Sequence, residues 1–145
     1  MTATIAPAQR QDLPDILALL RASGLPEAGL GDHLATTLVA RDGRGIVGCA
    51  AVELYGPAAL LRSVAVVAAL RGQGLGQRLT TAALDLAQRR GVRRVYLLTE
   101  TAADFFPRFG FRPITRPEVE PVVRRSAEFT SACPASALVM AMDLL

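Results

Sequence analysis

The stretch Arg71-Gly72-Gln73-Gly74-Leu75-Gly76 constrains this chain more than any other, because of what flanks it. An apolar, strand-like run from Leu60 to Val67 leads into it. A helical pattern leads out of it, with Leu75, Leu79, Ala82 and Leu86 at intervals of three and four. A strand, a glycine-rich turn and a helix N-terminus aim several backbone N–H groups at one point. Unpaired donors and the helix dipole favour an anion there, so the turn reads as the cradle of a phosphorylated ligand. Two common cradles do not fit. A dinucleotide fold needs Gly-x-Gly-x-x-Gly after the first strand of a parallel unit, whereas glycines 72, 74 and 76 follow a run of antiparallel strands. A P-loop needs Gly-Lys-Ser/Thr, which is absent here.

The antiparallel run is legible in the turns. Thr37 to Arg41 reads as a short strand and Asp42-Gly43-Arg44-Gly45 as a hairpin turn. Ile46 to Tyr55 is a longer strand, Gly56-Pro57 a tight turn, and Ala58 to Val67 the third strand of a meander. Upstream, Asp12 suits an N-cap and Pro14 a first helical turn. Leu13, Ile16, Leu17, Leu19 and Leu20 form an apolar stripe that Gly24 ends. Residues 26–35 read as a second short helix or an irregular connector carrying His33. Downstream, the helix from Leu75 to Arg90 stops at Gly91, and Arg94 to Thr99 is an apolar strand reached by a parallel crossover. Ala102 to Phe109 reads as a short helix closed by Gly110, Phe111 to Ile114 as a strand, and residues 117–134 as irregular or weakly helical. Ala137 to Leu144 reads as the last strand. This order predicts a single α/β (α+β) domain over residues 1–145, its sheet antiparallel at first and mixed later.

Composition narrows the function classes. All sixteen basic residues are arginine and the net charge is only +3. The cluster Arg89, Arg90, Arg93 and Arg94 has no interleaved aromatics to stack on bases, so nucleic acid is not an expected partner. No apolar run approaches the roughly 20 residues a membrane span needs. The first residues lack a basic flank followed by an apolar stretch, which predicts a cytoplasmic location. Two cysteines, Cys49 and Cys133, and one histidine cannot close a conventional zinc site without carboxylates, so no metal is expected.

The meander followed by Arg-x-x-Gly-x-Gly resembles the GCN5-related N-acetyltransferase (GNAT) superfamily, whose loop motif Arg71, Gly74 and Gly76 match. A second marker, an aromatic pair followed by Gly-Phe, is matched by Phe105-Phe106-Pro107-Arg108-Phe109-Gly110-Phe111. Within that superfamily, TAADFFPRFGF, AALLRSVAV and SAEFTSACPASALVM resemble the arsenic-resistance branch.

The resemblance implies a mixed, mostly antiparallel sheet of six to seven strands with helices on both faces. A V-shaped split would open between the strands ending near Val67 and Thr99. Acetyl-CoA would lie in that gap as cosubstrate, with Val64, Ala65 and Val66 pairing its pantetheine arm. Gly72, Gly74 and Gly76 would let the backbone approach the pyrophosphate, Gln73, Leu75 and Gln77 would add N–H groups, and Arg71 would add charge or pin the loop. The implied reaction is direct attack of a small-molecule amine on the thioester, the acceptor being an organoarsenical amino acid and the outcome detoxification. An amino acid, an antibiotic or a peptide N-terminus is the alternative acceptor, and a non-catalytic acyl-CoA sensor the alternative function.

A base must deprotonate the amine. Glu100, at the end of the Arg94–Thr99 strand, is the first candidate, against a role as cap for the turn near Ala102. Glu53 is the second, against a structural pair with Arg62. Phe106 stands where the family often carries a proton-donating tyrosine, which leaves Ser63, Tyr55 and Tyr96 as substitutes, although Tyr96 also reads as sheet packing. Arg62, Tyr55, Arg124, Ser126 and Glu128 are the expected acceptor-binding residues, with guanidinium for a carboxylate and carboxylate for the amine. The C-terminal strand could pair or exchange between subunits of a homodimer.

Overall fold

The computed structural model describes residues 2–144. It contains strands β1 (Thr4–Pro7), β2 (Thr37–Asp42), β3 (Gly45–Tyr55), β4 (Ala58–Val66), β5 (Arg94–Thr99), β6 (Arg112–Ile114) and β7 (Leu138–Asp143). Helix α1 spans Leu13–Ala22 and α2 spans Leu75–Arg89. The strands form one seven-stranded sheet in the order β1-β2-β3-β4-β5-β7-β6. Every neighbouring pair is antiparallel except β4–β5. Among the described residues no helix is long and apolar enough to cross a membrane.

Alternation along the strands decides which helix lies on which face. Ala50 and Val52 of β3 and Ala59 and Leu61 of β4 pack with Leu79, Ala83 and Ala87 of α2. Cys49 and Ala51 face the other way, onto Ile16, Leu19 and Leu20 of α1. Further along that second face, Ala58, Leu60, Tyr96 and Val139 pack under Val119 and Val123 of the 117–125 segment. Gly48 lets α2 sit close to the sheet, since a Cβ there would lie 2.7 Å from Leu79 Cδ1 and 3.1 Å from the Ala65 carbonyl.

The sheet has one irregularity that bears on the site. The β3–β4 register jumps from Cys49↔Ala65 to Ala51↔Arg62, so β4 holds one extra residue. The bulge centres on Ser63, at φ 60° the only non-glycine residue of positive φ among those described. It inverts the alternation of β4: even-numbered Ala58 and Leu60 share the α1 face with odd-numbered Ala65. An L-residue held there stores about 1–3 kcal/mol. Ser63→Gly should therefore keep or raise stability in a urea titration, while Ser63→Val, β-branched, should lower it by about 1–3 kcal/mol.

Four expectations need correction. β1 adds a strand that no sequence pattern predicts. The Ala102–Phe109 stretch is not a helix but turns ending in a 3-10 turn, Phe106–Phe109, because Pro107 brings no N–H and residues 105–106 pack edge-on, with ring centroids 5.1 Å apart. Asp12 caps no N–H of α1; its carboxylate accepts from the Gln9 N–H and pairs with Arg41 at 2.9 Å. β7, the last strand, has β5 on one edge and β6 along Val139–Ala141 of the other, so a second subunit finds no free edge along that stretch to pair with; this bears on pairing and not on exchange of the strand.

Candidate functional site

The parallel pairing of β4 with β5 covers only Ala58–Leu60 against Arg94–Tyr96. Beyond it β5 stays bonded to β7 through Thr99, while β4, bent by its bulge, continues alongside β3. The strands part, and a cleft of about 640 Å³ opens between Leu61–Val66 and Leu97–Thr99. This is the expected V-shaped split. Val64, Ala65 and Val66 line it, and on the cleft side their backbone has no ladder partner.

Val66 and Arg71 also line a second cavity of about 390 Å³, so the two spaces share a wall. Gly72, Gly74, Gly76 and Gln77 border this second cavity. Gly72 and Gly74 have φ of 79° and 87°, and a Cβ on either would meet no protein atom within 4 Å. Gly74 is the residue before α2 and offers no side chain to the helix's first N–H groups. Leu75 anchors the helix start by burial in the core, and exposed Gln73 reaches the Ala69 carbonyl at 3.5 Å. Arg71 pins the loop, its Nε donating to the Val66 carbonyl at 3.0 Å. Sequence reasoning missed Arg108, which borders the same cavity and stacks 4.7 Å over the Phe105 ring. It lies inside the Phe-Phe-Pro-Arg-Phe-Gly-Phe marker, where the signal was available. Phe106 is buried against Phe105 and Phe111 and lines the main cleft.

At the other end of the cleft sits a buried charge cluster, wedged between the two apolar clusters of the α1 face. Arg62 and Glu53, from adjacent strands, pair at 2.9 Å with side chains 0% and 1% exposed. Arg62 also donates to the Ala28 carbonyl at 2.8 Å, the Pro26 carbonyl at 3.2 Å and Ser63 Oγ at 3.0 Å. Tyr55 donates its hydroxyl to Glu53, and His33 Nε2 lies 3.6 Å from the same carboxylate. Burial pushes the Glu53 carboxyl up, but hydrogen bonds from Tyr55, Arg62 and Ser126 together outweigh it and hold Glu53 below 4.5. Burial and the Glu53 charge push the Tyr55 phenol upward.

Glu128, from a π-helical turn spanning Glu128–Ala132, completes the cluster with Oε2 3.6 Å from Arg62 Nη2. Ser126 accepts the Glu128 N–H at 3.1 Å and fixes the turn. Unlike Glu53, Glu128 lines the cleft. Its carboxyl is raised, chiefly by burial and further by Glu53, with Arg62 pulling the other way. Cys133 Sγ sits 3.6 Å from Glu128, and burial with the Glu128 and Glu100 charges pushes the thiol to about 12. Such a thiol is a poor nucleophile at neutral pH.

Glu100 lies exposed at the rim of the cleft and does not cap the turn at Ala102, whose N–H is taken by Thr99 Oγ1 at 2.9 Å. Ser63 lines the cleft, but its oxygen is engaged by Arg62. Tyr55 and Ser126 stand behind the wall, bonded into the cluster. Arg124 is exposed and outside the lining. Tyr96 is buried sheet packing whose hydroxyl reaches Glu120 at 2.9 Å. Cys49 is a core residue whose thiol burial raises to about 12. Among the described residues no three His, Cys, Asp or Glu side chains converge as metal ligands would.

Residues 33–113 match the model of the acetyltransferase (GNAT) domain. An uncharacterised N-acetyltransferase of Chlorobaculum tepidum, CT2212, is 31% identical over 86 residues, covering 59% of this chain and 55% of that protein. The chain thus spans about half the length of that relative. Among solved structures, Rv2747 of Mycobacterium tuberculosis, in complex with CoA and NLQ, superimposes with a TM-score of 0.82 at 25% identity, over 98% of this chain and 99% of that one. N-acetylglutamate synthase of Neisseria gonorrhoeae, complexed with coenzyme A and N-acetyl-glutamate, gives 0.84 at 21% identity, over 100% of this chain and 36% of that one.

Proposed function

The chain belongs to the GNAT acetyltransferase family, and from that premise we propose that it transfers the acetyl group of acetyl-CoA to the amine of a small molecule. One observation carries the reading: the split between β4 and β5 runs directly into a left-handed glycine loop at the N-terminus of a 15-residue helix. A long thiol ester with a pyrophosphate at its far end fits that shape. The loop amides, Arg71 and Arg108 would receive the phosphates. The open edge of Val64–Val66 would pair with the pantetheine amides as a neighbouring strand does.

At the inner end, a backbone N–H near the bulge would meet the oxyanion of the tetrahedral intermediate, a donor worth about 3 kcal/mol. The neutral amine attacks the carbonyl carbon, the C–N bond forms, and the C–S bond breaks as the intermediate collapses. The amine proton passes to a carboxylate. Glu128 suits that role better than Glu53, which is walled off behind Arg62, and its raised affinity for protons is what a base working near neutrality needs. The departing thiolate takes a proton from water, since a thiol pKa near 8.5 requires no dedicated acid and Phe106 offers none. Phe106 is also the observation that favours acyl-CoA sensing without turnover as a second reading.

The finer acceptor implied by the arsenic-resistance resemblance, an organoarsenical amino acid, needs a cation for its carboxylate. Of the guanidiniums that reading relied on, Arg124 is exposed outside the lining and Arg62 is buried with its N–H groups directed at Glu53 and the Ala28 carbonyl, so the broader acceptor class is kept.

Binding is tested by thermal unfolding with acetyl-CoA. At about 100 times Kd the ligand should add about 2.7 kcal/mol of stability, a clear rise in Tm. Gly74→Val should remove the rise, because a branched side chain both resists the left-handed backbone and fills the cavity. Equal stabilisation of wild type and variant would refute this use of the loop.

A further inference from the structure

The charges lining the cleft select among acceptors, an inference that rests on the transferase reading. Only four charged side chains line it among the described residues: Arg62, Arg71, Glu100 and Glu128. Arg71 belongs to the phosphate end, where it also borders the loop cavity. Among the described residues Arg62 is the only cation lining the inner end, and its N–H groups are already directed at Ser63 Oγ, the Ala28 and Pro26 carbonyls, Glu53 and Glu128. Its side chain is 0% exposed. A substrate carboxylate would find no open guanidinium there. It would instead meet Glu128 and Glu100, which line the same cleft. His33 and Arg124 do not reach the lining.

We infer that the acceptor is a cationic amine with no carboxylate beside its nitrogen. Glu128 and Glu100 attract the ammonium ion and repel the neighbouring acid of an α-amino acid. Apolar groups at the same end, Leu25 and Pro26 among them, suit an alkyl or aryl-alkyl body.

Matched pairs that differ only in the carboxylate test the inference: phenylalanine against phenethylamine, tyrosine against tyramine, and arginine against agmatine. CoA thiol release should give a kcat/KM at least about 100-fold higher for each decarboxylated partner. Phenylalaninamide, which keeps the bulk and loses the charge, should behave like phenethylamine. Glu100→Gln, a change at an exposed residue, should narrow the ratio by about tenfold without lowering Tm. A parallel arm that needs no turnover measures the Tm of the CoA-loaded protein with each compound, where only the carboxylate-free amines should stabilise. Equal or faster release with the amino acids would overturn the inference and leave the transferase intact. Acetyl-CoA binding with neither release nor amine-dependent stabilisation for any compound would sink both.

Discussion

Replacing Arg62 by methionine should cost the fold about 3–5 kcal/mol, the range for removing one partner of a buried ion pair. The guanidinium is wholly buried and holds together two strands, the Pro26–Ala28 connector and the Glu128 turn. Methionine fills much of the volume but leaves Glu53 and Glu128 as uncompensated buried carboxylates. Adding Glu53→Gln and Glu128→Gln should recover part of the loss, because the penalty lies mainly in the stranded charges. Urea denaturation at neutral pH measures both.

The two buried carboxyls contribute to the pH dependence of stability with opposite signs. Glu53 is held below 4.5 in the folded chain, so its contribution is present above that value and fades as pH falls through its native pKa. Glu128 is raised, so it acts oppositely: its contribution is present below 4.5 and fades as pH rises through its native pKa. Acid should therefore weaken the wild type through Glu53 and favour it through Glu128.

Glu128→Gln is expected to lower kcat by about 10²–10⁴-fold, the usual contribution of a positioned base, while the KM for acetyl-CoA stays close to wild type. The isostere keeps the shape of the turn and its bond to Ser126, so Tm should change little. The acid limb of the rate profile should go with it, since that limb reports Glu128 taking up a proton above the ordinary carboxylate range. Glu100→Gln, at the exposed rim, should leave that limb in place. If the two variants exchanged behaviour, Glu100 would be the base.

How much of the fold and the site is legible in the sequence depends on whether the signal is local. The meander, the glycine loop and α2 are written in turn residues and in a 3.6-residue stripe, both short-range features. β1 is four residues long and largely exposed, and it pairs only with β2 across the whole of α1, so no local pattern announces it. The bulge is hidden because serine is not the residue that left-handed backbone favours, and only the broken register with β3 exposes Ser63. Glu53 and Arg62 can be paired from a hairpin register. Glu128 cannot be placed with them, because the turn that carries it reaches the cluster only when residues 117–134 fold back over β4 and β5.

Incubating the protein with acetyl-CoA and phenethylamine, with free CoA thiol monitored and the product identified by mass, tests the transferase activity itself. Thiol release should require protein and amine together, be matched one-to-one by N-acetylated product, and be abolished in Gly74→Val. Acetyl-CoA that binds tightly yet is never discharged to any amine of the panel would contradict it and leave an acyl-CoA sensor in its place.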